Sequence, residues 1–83
     1  MLSPAQCRAA RGLIDGSQMD LAERAGVGIV TIRQLEAGVH APRRATIDVV
    51  RRALEAAGVE FIEENGGGSG VRFRKKGPSR SRA

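Results

Sequence analysis

Between Gly26 and Gly38 the apolar residues Val27, Ile32 and Leu35 turn inward at helical spacing, which leaves Gly28, Ile29, Val30, Arg33 and Gln34 on the outward side. Those residue types suit the edges of base pairs. A glutamine such as Gln34 can bond N6 and N7 of adenine together, and an arginine such as Arg33 can fork onto guanine or hold a phosphate. The alkyl groups of Ile29 and Val30 fit thymine methyls, whereas Gly28 offers only its backbone N–H. The other reading of Ile29 and Val30 is a surface that meets protein. No competing chemistry is written elsewhere. Asp48, Glu55, Glu60, Glu63 and Glu64 lack both metal-ligand spacing and an acid–base arrangement, and no nucleophile is paired with a base. Cys7 is the only cysteine, so it suits core packing in a reducing compartment. His40 could donate to a phosphate or respond to pH, although a lone loop histidine more often does neither. The expectation is a protein that is not an enzyme and needs no cofactor or metal.

The elements that would position these residues can be placed from local signals. Ser3-Pro4 opens a first helix that runs to about Leu13, with Ser3 as cap and Pro4 where its missing N–H costs nothing. Asp15-Gly16 breaks it. Ser17 then caps a second helix, with Asp20 three residues on as a short capping box, and that helix ends near Ala25. Gly26 makes the turn, Ala22 is small where two helices approach, and a third helix of about two turns runs from Ile29 to Glu36. Gly38 to Pro42 reads as a loop. Ala45 or Thr46 starts a fourth helix, whose apolar stripe Ile47, Val50, Ala53, Leu54 and Ala57 ends at Gly58. Beyond it, Val59 and Phe61 alternate with Glu60, and Val71 and Phe73 with Arg72, across the glycine-rich Asn65 to Gly70, which is the pattern of a β-hairpin.

Charge and length narrow the class. The 83 residues bound a single small domain that often leans on a partner. The net charge of +5 lies wholly in the second half: residues 1–42 carry four Arg against four acids, residues 43–83 ten Arg or Lys against five. That balance suits a polyanion without requiring one. No apolar run approaches the roughly 20 residues of a membrane span, and the N-terminus lacks the pattern of a signal peptide, so a cytoplasmic protein without a membrane partner is expected. From Arg72 onward six basic residues occur without an acid, and 75–83 is expected to be a disordered basic tail that either follows the phosphate backbone or a minor groove or only adds solubility and non-specific affinity for nucleic acid.

Gln18, Leu21, Ala22, Gly26, Val27, Ile32, Leu35, Glu36 and Gly38 together, in register, resemble the Cro and C1 repressor type of helix-turn-helix, the XRE-like family of bacteria and phages. The resemblance spans roughly Ala5 to Gly58. It implies a mostly α, four- to five-helix Cro/C1 repressor-like DNA-binding domain over 1–58, here followed by the hairpin over 59–74. It implies that Ile29 to Glu36 is the recognition helix, that Gln18 bonds a phosphate, and that Gln34 and its neighbours, Thr31 among them, reach base edges. Arg43 and Arg44 match positions that usually touch the sugar-phosphate backbone, and Arg11 matches an arginine that forms a buried ion pair with Glu36. Departures from the pattern are Gly28, where Ser or Thr is frequent, and the alkyl pair Ile29-Val30. The function so implied is a sequence-specific regulator of transcription, most simply a repressor bound to double-stranded DNA as a homodimer on an inverted repeat; the alternative is an antitoxin-like or partner-sensing interaction module. The hairpin, with Val59, Phe61, Val71 and Phe73, is expected either to complete the monomer or to build the dimer, with dimerisation preferred.

Overall fold

The computed structural model describes residues 2–39, 42–63 and 66–74. His40, Glu64 and the tail 75–83 lie outside them. Four helices, α1 (Pro4–Leu13), α2 (Gln18–Ala25), α3 (Ile29–Ala37) and α4 (Arg44–Ala56), precede strands β1 (Val59–Ile62) and β2 (Gly70–Phe73). The chain is thus mostly helical with a C-terminal antiparallel hairpin, consistent with a Cro/C1-like domain.

The helix starts follow from their caps. Ser3 accepts from Gln6 N while the Gln6 side chain accepts from Ser3 N, and Ser17 and Asp20 make the same reciprocal pair at α2 (each bond 3.0 Å). α2 and α3 both stop at glycines in the left-handed conformation, Gly26 (φ 72°) and Gly38 (φ 68°). Between α1 and α2 the left-handed residue is Asp15 (φ 56°), and aspartate is among the few residues other than glycine that adopt this conformation readily. α4 begins at Arg44, one or two residues earlier than its apolar pattern suggests. Arg43 is the N-cap in an extended conformation without a side-chain cap bond, so no Ser, Thr or Asp marked the boundary.

α2 packs on both α3 and α4, α1 packs on α3 and β2, and α4 on β1. The shared core holds Leu2, Cys7, Ala10, Leu21, Ala22, Ile32, Leu35, Ile47, Val50, Leu54, Val59 and Phe61. In the hairpin Val59 faces Phe73, Glu60 faces Arg72, Phe61 faces Val71 and Ile62 faces Gly70. Opposed residues share a face, so Val59, Phe61, Val71 and Phe73 form one side and Glu60 and Arg72 the other. Val59 and Phe61 are buried in the chain's own core, in line with the expected alternative that the hairpin completes the monomer: an isolated hairpin is marginal, and here it gains stability by lying on α1 and α4. Arg51 of α4 clasps it, bonded to Glu55 (3.1 Å) and Glu63 (3.4 Å) with its guanidinium 5.0 Å from the centre of the Phe61 ring.

Gly12 lies near the end of α1, on its exposed side, and an added Cβ would meet nothing within 4 Å. Gly12→Ala should therefore raise stability by roughly 0.5–1 kcal/mol. Thermal unfolding by circular dichroism reads this directly; an unchanged or lower midpoint would show that α1 does not end as described.

Candidate nucleic-acid interface

The outward side of α3 is held in place by a buried charge on its inward side. Glu36 is 4% exposed, and its carboxylate accepts from Arg11 Nε (2.7 Å) and Nη2 (2.9 Å), Gln18 Nε2 (3.0 Å) and Cys7 Sγ (3.4 Å). Arg11 reaches on to the Gly16 carbonyl (3.1 Å), and Arg8 donates to the Glu36 backbone carbonyl. One carboxylate therefore ties α3 to α1, to the start of α2 and, through Arg11, to the loop between them. Burial is the largest single influence on its acidity and pushes it up. The hydrogen bonds from Arg11, Gln18 and Cys7, with the charge of Arg11, outweigh it and hold the carboxyl below the ordinary glutamate range. Cys7 moves the other way, pushed up to about 12 by burial and then by the adjacent Glu36 charge, so the thiol stays protonated as a donor.

The resemblance implies the ion pair but not the parts that Cys7 and Gln18 play in it. Cys7 and Arg11 stand four apart on one helix, a spacing that puts them on the same face and could have suggested the first. Nothing local signals the second, because Gln18 and Glu36 meet only once α2 and α3 have folded against each other.

On the outward side, Arg33, Gln34 and Val30 are exposed, Val30 with 56% of its surface in water, and Thr31 is half-buried. Ile29, outward by its helical spacing, is half-buried and packs partly against the core, as does Val27. Gly28 is the N-cap of α3 and gives it no side-chain cap. Its φ of −73° and the open space around it mean that the fold itself does not demand glycine there. Arg43 and Arg44 are exposed, Arg43 as the N-cap and Arg44 as the first residue of α4. Among the described residues, no hydrogen bond or ion pair engages the side chains of Arg33, Gln34, Arg43 or Arg44. Val71 is half-buried and Phe73 exposed, so of the hairpin set only these two keep free surface. No group of three or more His, Cys, Asp or Glu among the described residues could hold a metal, and no described helix is long and apolar enough to cross a membrane.

A family model described as helix-turn-helix matches residues 8–63, about two thirds of the chain, and the chain belongs to this Cro/C1-type, XRE-like family. It is a DNA-binding regulator of transcription, in a family of regulators rather than enzymes. No curated protein matches it.

Removing either partner of the pair strands a buried charge, so Arg11→Ala or Glu36→Ala should cost about 3–5 kcal/mol in urea unfolding. Because the native carboxyl titrates below its unfolded value, its contribution is present above the ordinary glutamate range and is lost as pH falls through that range. Glu36→Gln should therefore flatten the loss of stability between about pH 5 and pH 2. Asp20, held low by its bonds with the Ser17 backbone and hydroxyl, keeps a remainder of the slope. An unchanged acid profile in Glu36→Gln would remove Glu36 from this role.

Proposed function

We propose that the chain is a sequence-specific repressor that binds double-stranded DNA as a homodimer on an inverted repeat, with α3 in the major groove. The observation that carries this reading is a set of unengaged polar groups, two on the outward side of the rigidly held α3 and two at the start of α4. Arg8, Arg11, Arg51, Arg72 and Arg74 all donate to acceptors within the chain, whereas Arg33 and Gln34 on α3 and Arg43 and Arg44 at the start of α4 do not. In the proposed complex Gln34 reads adenine, Arg33 reads guanine or holds phosphate, and Val30, with the exposed part of Ile29 and Thr31, meets thymine methyls and neighbouring edges. Gln18, the backbone N–H groups at Gly28, and Arg43 and Arg44 hold phosphates, as does His40, which lies outside the described residues. The repressor acts by occupying promoter DNA in the cytoplasm, on the nucleoid.

A second reading has its own observation. Val30 and Val39 are among the large apolar residues left exposed, and such surface suits a protein partner, as an antitoxin-like or partner-sensing module would need.

Selection of bound fragments from a random duplex library at physiological salt distinguishes the two. The expected result is an enriched inverted repeat, with Gln34→Ala losing roughly 1–3 kcal/mol, or about 5- to 150-fold, and relaxing one base position while the fold stays intact. Arg43→Gln and Arg44→Gln should weaken all sequences alike and lower the salt slope by about one each. No enrichment, or enrichment indifferent to Gln34→Ala, would sink the first reading in favour of the second.

A further inference from the structure

We propose that Arg8 is a positioning residue for base reading, fixing the tilt of α3 through the main chain of Glu36. This deepens the reading of α3 as the helix in the major groove and rests on it. The first observation is which donor meets each carbonyl at the C-terminal end of α3. Gly38 N donates to Gln34 O (3.1 Å) and Leu35 O (3.3 Å), and Val39 N donates to Gln34 O (3.4 Å). Those bonds come from the turn that follows the helix. The next carbonyl, that of Glu36, is met from a different element, because Arg8 Nη1 of α1 donates to it. α3 carries no basic residue in its own last turn, so the positive charge that suits the negative end of a helix is also supplied by α1.

The second observation is that this bond reaches the backbone. Arg11, Gln18 and Cys7 grip the Glu36 carboxylate, which is joined to the helix through a flexible run of single bonds. They fix where α3 lies against α1 and α2, and leave its axis some freedom to swing. Arg8 acts on the main chain itself with a charged donor, which removes that freedom. The same end of α3 abuts the start of α1, where a Cβ added at Gly38 would meet Pro4 Cγ at 3.5 Å.

At its other end α3 is held by the turn from α2, where Val27 N donates to Ala22 O (3.0 Å). A short helix held at this turn and clamped at Glu36 moves most at its far end when the clamp is lost. At about 1.5 Å per residue, Gln34 lies roughly 9 Å along the helix from Gly28 and Val30 roughly 3 Å. Arg33 and Gln34 therefore depend on Arg8 more than Val30 does, although Arg8 itself touches no base.

The test is selection of bound duplexes by the full-length Arg8→Ala chain beside the wild type. Arg8 stands on the exposed side of α1, so the variant should keep its fold by circular dichroism. Binding to the inverted repeat should weaken about tenfold, within the range of one lost base contact. Base preference should broaden at the positions that Arg33→Ala and Gln34→Ala relax and persist at those that Val30→Ala relaxes. The salt slope should not change, and Arg8→Lys, which keeps a cationic donor, should recover most of the preference. A slope lower by about one, with all sequences weakened alike, would make Arg8 a phosphate contact and overturn the positioning role. A base preference identical to that of the wild type, or one broadened evenly along the site, would overturn it too, and either result leaves the DNA-binding reading standing. A wild-type chain that enriches no sequence would overturn both.

Discussion

A carboxylate taken out of water must find compensation, and Glu36 finds it in donors from α1 and α2. Everything that α3 presents outward depends on this. A helix of nine residues is too short to persist by itself in water, so both its existence and its angle are imposed by what it packs on. The apolar core supplies the driving force. Each of Leu21, Ile32 and Leu54, fully buried, contributes about 1.5–3 kcal/mol by leaving water. A buried ion pair contributes little net stability against an apolar replacement, yet removing one member is expensive. What Glu36 adds to the core is therefore direction. Apolar contacts between α2 and α3 would tolerate some sliding, whereas the bidentate Arg11 fork and the Gln18 amide accept only a narrow range of positions.

The parts of the fold that were legible in the sequence are those encoded within a few residues. Ser17 with Asp20, Gly26 and Gly38 mark their helix ends because a cap or a left-handed backbone is a local demand. The stripe from Ile47 to Leu54 likewise declares the buried side of α4. What was not legible is tertiary or lacks a marker. Arg43 starts α4 without a capping side chain, so the boundary carried no sign. Ile29 looks outward by periodicity but sits over the core, since periodicity cannot say how deep a neighbouring helix lies. Alternation in Val59 to Phe61 announces a strand with one apolar face, and says nothing about whether that face is covered by the same chain or by another. The structure answers for β1 by burying it.

The hairpin shows how, among the described residues, a small core is completed after only four helices. β1 contributes Val59 and Phe61 to the interior, and Arg51 lays its guanidinium over the phenylalanine while its charge is met by Glu55 and Glu63. The guanidinium of a long cationic side chain thus lies over apolar surface that the short sheet presents. β2 does less for the core; Gln6 anchors its first residue by bonding the Gly70 carbonyl (3.1 Å), and its far end stays in water. The two strands differ in burial because only β1 follows directly from α4 and inherits its packing.

The net charge of +5 is a poor guide to where a polyanion would sit, because five of the arginines are already committed within the chain. Position and freedom matter more than number. Gln18 illustrates the link between the interior and the proposed DNA contact. A carboxylate at this acidity accepts and does not donate, so the Gln18 amide must turn its Nε2 toward Glu36. One N–H is used inward, and the orientation of the other is thereby set before any ligand arrives. A phosphate contact from that second N–H would need no rearrangement of the side chain, so little conformational entropy would be lost on binding. The same buried charge that sets the angle of α3 also aims the amide at the start of α2, and the two ends of the helix-turn-helix are oriented by a single group.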